Sequence, residues 1–150
     1  MGIASDGKHL LLADTRNNRI LIWNSLPTSN RPPDLVLGQP NFYSNAPGTS
    51  RDKLRWPVSV ATDGQRVIVA DTYNHRVLIW NQFPTRNGEP ADIVLGQDTF
   101  EEYRAGPIAW PWSVWTDGKK LAVTSTQGRA VLIWNRFPMR NNQPPDLVLR

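Results

Sequence analysis

The stretch Ala70-Asp71-Thr72-Tyr73-Asn74-His75-Arg76-Val77-Leu78-Ile79-Trp80 decides the fold. Its second half, from Arg76 to Trp80, is an apolar run of strand length. Its first half, Asp-Thr-x-Asn, is made of turn formers. The same order of residues stands at Ala13 to Trp23, and a weakened version ends at Trp134. Ile-Trp-Asn closes the run at 22–24, at 79–81 and at 133–135, so the unit recurs after 57 and then 54 residues. Residues 56–92 align with 110–146 without a gap. A repeat of this length marks units that bury their apolar faces only against one another.

Each copy reads as four strands. In the second copy they are Val58–Ala61, Arg66–Ala70, Arg76–Trp80 and Asp92–Leu95. The Asp-Gly pairs Asp6-Gly7, Asp63-Gly64 and Asp117-Gly118 predict type I′ hairpins between the first two strands. Strands two and three are nearly continuous apolar runs, which predicts sheets covered on both faces. Four-stranded antiparallel sheets, repeated and covered on both faces, are the blades of a β-propeller. The fold class is therefore all-β, with three blades over residues 1–39, 56–97 and 110–150 and connectors over 40–55 and 98–109. A two-sheet sandwich is the alternative, but near-identical units favour a ring or array.

Ala-Asp-Thr-x-Asn-x-Arg followed by Ile or Val and Leu-Ile-Trp, at 13–23 and 70–80, resembles the core of the NHL repeat. The connectors Leu35 to Gln39 and Ile93 to Gln97 are similar to those of bacterial NHL-repeat propellers. That resemblance implies a ring of six blades, and it implies binding or scaffolding roles with catalysis in a few members. Three blades leave two apolar blade faces open, since propellers typically hold four to eight. A second copy of the chain is the expected remedy, giving a six-bladed homodimer. No connector follows Leu149-Arg150 and no Trp-Pro precedes Met1, so the break is expected to fall between blades. A piece of a longer six-bladed protein is the other reading.

Composition narrows the functions. The chain has 150 residues, 39% hydrophobic and 20% charged, which argues against disorder. No apolar run approaches the roughly 18 residues of a membrane span, so no membrane partner is expected. Met1 to Asp6 lacks a leader pattern, and Asp6 breaks the myristoylation motif. Cysteine is absent, which removes disulfides, thiolate metal sites and Cys nucleophiles and fits either redox compartment. The net charge of +4 comes from scattered residues, Lys119-Lys120 being the one adjacent basic pair. It reads first as solvated surface and second as attraction for an anionic partner.

Comparing the copies separates scaffold from novelty. Asp14 with Arg19 and Asp71 with Arg76 are expected to form bridges pinning the turn between strands two and three. Both members are lost together in the third copy, at Ser125 and Ala130. Trp23, Trp80 and Trp134 are expected in the core, and Trp56 and Trp110 are expected to pack. The third copy also replaces Val58 and Ala61 with Trp112 and Trp115. An aromatic side chain on an innermost strand would stack a sugar or planar ligand, or fill the bore.

The turns after strand two gather Arg16, Asn17, Asn18, Tyr73, Asn74, His75, Gln127 and Arg129 on one face, with Tyr43 and Tyr103 near. Loops on a rigid scaffold are favoured binding positions. This set, with Trp112 and Trp115, forms the candidate ligand site, suited to carbohydrate, peptide or RNA. No catalytic residue, metal ligand or cofactor is assigned. His9 and His75 occupy non-equivalent positions, so the histidine set of a metal-dependent lyase or hydrolase, the remaining enzymatic reading, is missing. The expected role is a non-catalytic propeller, either a self-assembling scaffold or a binding module.

Overall fold

The computed structural model describes residues 1–150 as three four-stranded antiparallel sheets. The first blade holds β1 (Ile3–Ser5), β2 (Leu10–Asp14), β3 (Arg19–Trp23) and β4 (Leu35–Leu37). The second holds β5 (Pro57–Thr62), β6 (Val67–Asp71), β7 (Arg76–Trp80) and β8 (Ile93–Leu95). The third holds β9 (Pro111–Thr116), β10 (Leu121–Ser125), β11 (Ala130–Trp134) and β12 (Leu147–Leu149). Each sheet runs in chain order, first strand to fourth. β5 packs directly against β1 and β9, so the first strands form the inner wall.

Alternation along the strands explains why the middle blade is apolar throughout. Val67, Val69, Leu78, Trp80 and Val94 join a core shared with Leu11, Ala13, Ile20 and Ile22 of the first blade. Ile68, Ala70, Val77, Ile79 and Ile93 join a second core with Val114, Leu121, Val123 and Trp134 of the third. Successive side chains point to opposite faces, so both sides of the second blade are buried.

The connectors complete these cores. Leu54 and Ile108 are buried beneath Gly38 and Gly96, whose φ values are +87° and +91°. A Cβ on Gly38 would lie 2.6 Å from Leu54 Cδ1, and one on Gly96 would lie 2.8 Å from Ile108 Cβ. Both glycines therefore serve a left-handed backbone and a close approach at once.

The first hairpins differ from the type I′ expectation. The last paired residues are Ser5 with Leu10, Thr62 with Val67 and Thr116 with Leu121, so the loops are longer than two residues. Only the glycines have positive φ there, and the aspartates do not. Asp63 Oδ1 instead accepts the N–H groups of Gln65 and Arg66, and Thr62 Oγ1 donates to the Arg66 carbonyl at 2.7 Å. The carboxylate supplies its own turn, and Asp6 and Asp117 repeat the arrangement.

Each blade also caps the edge of the one before it. The outer edge of β4 presents Val36, whose N–H donates to Asn87 Oδ1 at 3.1 Å and whose carbonyl accepts from Gly88 N at 2.9 Å. Val94 on β8 makes the same pair of bonds to Asn141 and Asn142, at 3.1 and 2.7 Å. A loop of the following blade thus occupies the groups an edge strand would otherwise expose. A second junction contact repeats as well. His9 stacks on Phe83 with centroids 3.7 Å apart, and the Arg66 guanidinium lies 4.2 Å over the Phe137 ring.

Candidate functional site

The turn from the second strand of each blade to the third builds the loop face. Thr15–Asn17 and Thr72–Asn74 are single 3-10 turns, each followed by a residue in the left-handed region, Asn18 at φ 54° and His75 at φ 52°. These residues reach across to the next blade. Asn18 Oδ1 accepts the N–H of Trp56 at 2.8 Å, and His75 Nδ1 accepts the N–H of Trp110 at 3.2 Å. Trp56 and Trp110 are themselves left-handed, at φ 56° and 50°. A bulky residue there costs roughly 1–3 kcal/mol and persists only where its surroundings enforce it.

The outcome is an aromatic ladder that runs from the second blade across its junction with the third. Tyr73 lies between the two indoles, 5.3 Å from Trp56 and 5.4 Å from Trp110, with interplanar angles of 11° and 24°. Offset stacking at these distances is favourable beyond simple burial. Arg16 and Gln127 hold the positions corresponding to Tyr73 in the other two blades, and both are exposed.

Beneath this face the Asp-Arg pairs hold the turns and connectors. Asp71 and Arg76 are fully buried and meet at 2.7 Å through Nε. Asp71 also accepts the Arg55 N–H and the Asn74 amide. Burial pushes its carboxyl up, and the Arg76 guanidinium opposes that rise. The remaining Arg76 donors bind the carbonyls of Thr49, Ser50, Lys53 and Phe100, tying two connectors to one side chain. Arg19 does less, bonding Asp14 at 2.8 Å and the Phe42 carbonyl. In the third blade Ser125 Oγ takes over the acceptor role, receiving the Ala109 N–H at 2.9 Å. Trp80 and Trp134 are fully buried, whereas Trp23 is half-buried.

The candidate ligand set divides. Asn74 is fully buried and bonded to Asp71 and the Gly48 carbonyl, so no ligand reaches it. Asn18 spends both ends of its amide on Trp56 and the Asn45 carbonyl. His75 is turned inward onto Trp110, and burial holds its pKa below the ordinary value. Asn18 and His75 are positioning residues, because their left-handed backbone turns the side chain toward the next blade, and Asn74 ties its own turn to the connector through Asp71 and the Gly48 carbonyl. Asn17 donates to both carboxylate oxygens of Asp14, which leaves its own carbonyl oxygen free. Arg16, Tyr73, Gln127 and Arg129 remain on the surface.

The two extra tryptophans also part. Trp112 shares a cavity of about 630 Å³ with Met1 and Val58, the corresponding positions at the starts of the other blades. Arg16, Asn17 and Trp56 form the rest of its wall with Asp14 and Thr15, so the cavity lies where the starts of the three inner strands meet the loop face. Trp115 is not there. It pairs across the sheet with Ala122, which pairs with Ile133, which pairs with Leu147. That row corresponds to Ala61, Ile68, Ile79 and Ile93, which face the next blade. Trp115 therefore lies on the open face of the third blade and is 54% exposed.

Trp56 is the cavity-wall residue hidden in the sequence. Its Trp-Pro setting reads as packing, and nothing local announces a positive φ. No group of three or more His, Asp or Glu side chains is placed to hold a metal ion.

Residues 54–80 match the model of the NHL repeat, which makes the core of the middle blade an NHL repeat. With three four-stranded antiparallel sheets, the chain is consistent with an NHL-type propeller of three blades. A search of curated proteins returned no match.

Proposed function

We propose that this chain is a non-catalytic β-propeller binding module, whose three blades are joined by a second copy into a six-bladed ring. The observation that carries the reading is the correspondence of the two open blade faces. The third blade ends in the row Trp115, Ala122, Ile133 and Leu147, flanked by Val131 and Leu149, where the second blade presents the residues that enter the third. The first blade offers Ile3, Leu10, Leu12 and Trp23 where the second offers Val60, Val67, Val69 and Trp80. Ile3 is 69% exposed, but its counterparts Val60 and Val114 are 4% and 7% exposed.

The edge-capping pattern supports the same junction. Val148 on β12 stands where Val36 and Val94 are capped, and it is exposed. Asn30, in the corresponding loop of the first blade, is exposed and makes no hydrogen bond within the chain. Lys120 and Leu26 likewise occupy the places of Arg66 and Phe137. Contacts of this head-to-tail kind close a ring when the rotation fits, and three blades plus three gives a number within the propeller range.

The non-catalytic part rests on how the two histidines are used. His9 is engaged with Asp6 at 2.6 Å and stacked on Phe83, and His75 is engaged with Trp110. Binding is then the role left to the loop face, with its stacked aromatics and exposed Arg16. Light scattering on the eluting peak tests assembly: twice the chain's 17.0 kDa supports the ring, and a single-chain mass at high concentration overturns it.

A further inference from the structure

We propose that the loop-face end of the inner strands binds an oligosaccharide carrying a carboxylate, with a hexuronic acid residue seated against Trp56 and Trp112 and its carboxylate on Arg16. The cavity there measures about 630 Å³, inside the roughly 300–1,000 Å³ range of small-molecule sites. Its walls combine indole surface with a small number of polar groups, the usual make-up of such a site.

The indole wall is built in advance. Trp56 is backed by Tyr73, and Tyr73 by Trp110, so three rings brace one another. The strained backbone at Trp56 is enforced by the Asn18 hydrogen bond from the neighbouring blade. Strain maintained in this way at a cavity wall is a reason to look for function there. Trp112, 50% exposed, adds indole surface that the other blades lack, since Met1 and Val58 stand at its corresponding positions.

The polar groups select the ligand class. Arg16 makes no ion pair or hydrogen bond within the chain, so all its donors are free, and a guanidinium matches a carboxylate in a two-point grip. Beside it, the Asn17 carbonyl oxygen and the Asp14 carboxylate are acceptors, and they call for ligand O–H donors. A sugar acid supplies hydroxyl donors, one negative charge and a ring face of C–H groups for the indoles. A phosphodiester link carries no hydroxyl of its own, and a nucleic acid offers its donors from the 2′-OH and base edges rather than from hydroxyls on the ring that bears the charge. One free cation also suits one carboxylate better than a run of phosphates.

This inference deepens the binding-module reading but depends on one chain alone, because a single copy contributes every wall residue named. The test is titration of the purified protein with trigalacturonic acid, its methyl ester, maltotriose and hexauridylic acid, followed by calorimetry and tryptophan fluorescence. Saturable binding of trigalacturonic acid is expected, at least tenfold weaker for the ester and for maltotriose. R16A and W112V should each weaken it at least tenfold while circular dichroism and melting stay near wild type. W112V installs the residue found at position 58, and R136A, exposed and outside the cavity, should leave binding unchanged. No saturation, or equal affinity for acid and ester, overturns the proposal. Tighter binding of hexauridylic acid with a steep salt dependence also overturns it, in favour of nucleic acid. Light scattering on the same samples keeps the two readings apart: a single-chain binder sinks the ring and leaves this site standing.

Discussion

His75 Nδ1 accepts the backbone N–H of Trp110 at 3.2 Å, joining the turn of the second blade to the first strand of the third. The acceptor role requires a neutral imidazole with its proton on Nε2. Burial holds the His75 pKa below the ordinary 6.5, so the folded state takes up this proton less readily than the unfolded chain. The associated stability is complete above 6.5, falls as the pH drops from there towards the folded pKa, and levels off below it. The melting temperature should therefore decline as the pH falls below the ordinary histidine value of 6.5. In H75N, which places the residue of Asn18 in the same left-handed turn, that part of the decline should vanish. An unchanged pH profile in H75N would show that His75 does not titrate in this way.

The buried pair Asp71-Arg76 should matter more than the half-buried Asp14-Arg19. R76A leaves an unpaired buried carboxylate and frees four connector carbonyls, a loss of about 3–5 kcal/mol. R19A should cost clearly less in the same urea titration. Equal losses would mean that burial does not set the value of these bridges.

N141A removes the acceptor for Val94 N–H at the junction of the second and third blades. An unsatisfied backbone donor costs about 1–3 kcal/mol, and denaturant melts should read that difference. N30A is its counterpart for the proposed junction between copies. It should leave the single chain's stability unchanged and weaken dimerisation at least fivefold by sedimentation. A dimer indifferent to N30A would not use the repeated clasp.

W80A and W134A delete side chains that are almost wholly buried, at a cost of about 3–5 kcal/mol each. W23A should cost less when the protein is dilute, because Trp23 is half-buried, and more as concentration rises and a second copy covers it. A loss in W23A that is independent of concentration would argue against that cover.

The repeat spacing, the strand runs and the pairing of Asp14 with Arg19 stand within short stretches of chain, so they are legible in the sequence. The hairpin type is not. Asp-Gly alone points to a two-residue turn, and the Ser or Thr before it with the Asp carboxylate makes a longer one. Asn74, His75 and Asn18 look like surface polar residues in the sequence. They are fastenings instead: the left-handed backbone of Asn18 and His75 directs them into the neighbouring blade, and Asn74 is spent on Asp71 and the Gly48 carbonyl of the connector.

The sequence by itself determined that the chain is three copies of a four-stranded unit, because period-two burial and turn chemistry are local properties. Only the tertiary structure decided which residues meet in the cavity at the starts of the inner strands. Arg16, Trp56 and Trp112 belong to three different blades, and their meeting depends on how each sheet packs against the next. It also decided the parting of Trp112 from Trp115. Alternation alone would set Trp112 on the side of Val114, against the second blade; the irregular pairing of β9 with β10 between Thr124 and Ser125 makes it the extra residue and leaves it in the cavity wall, while Trp115 keeps its place on the open blade face.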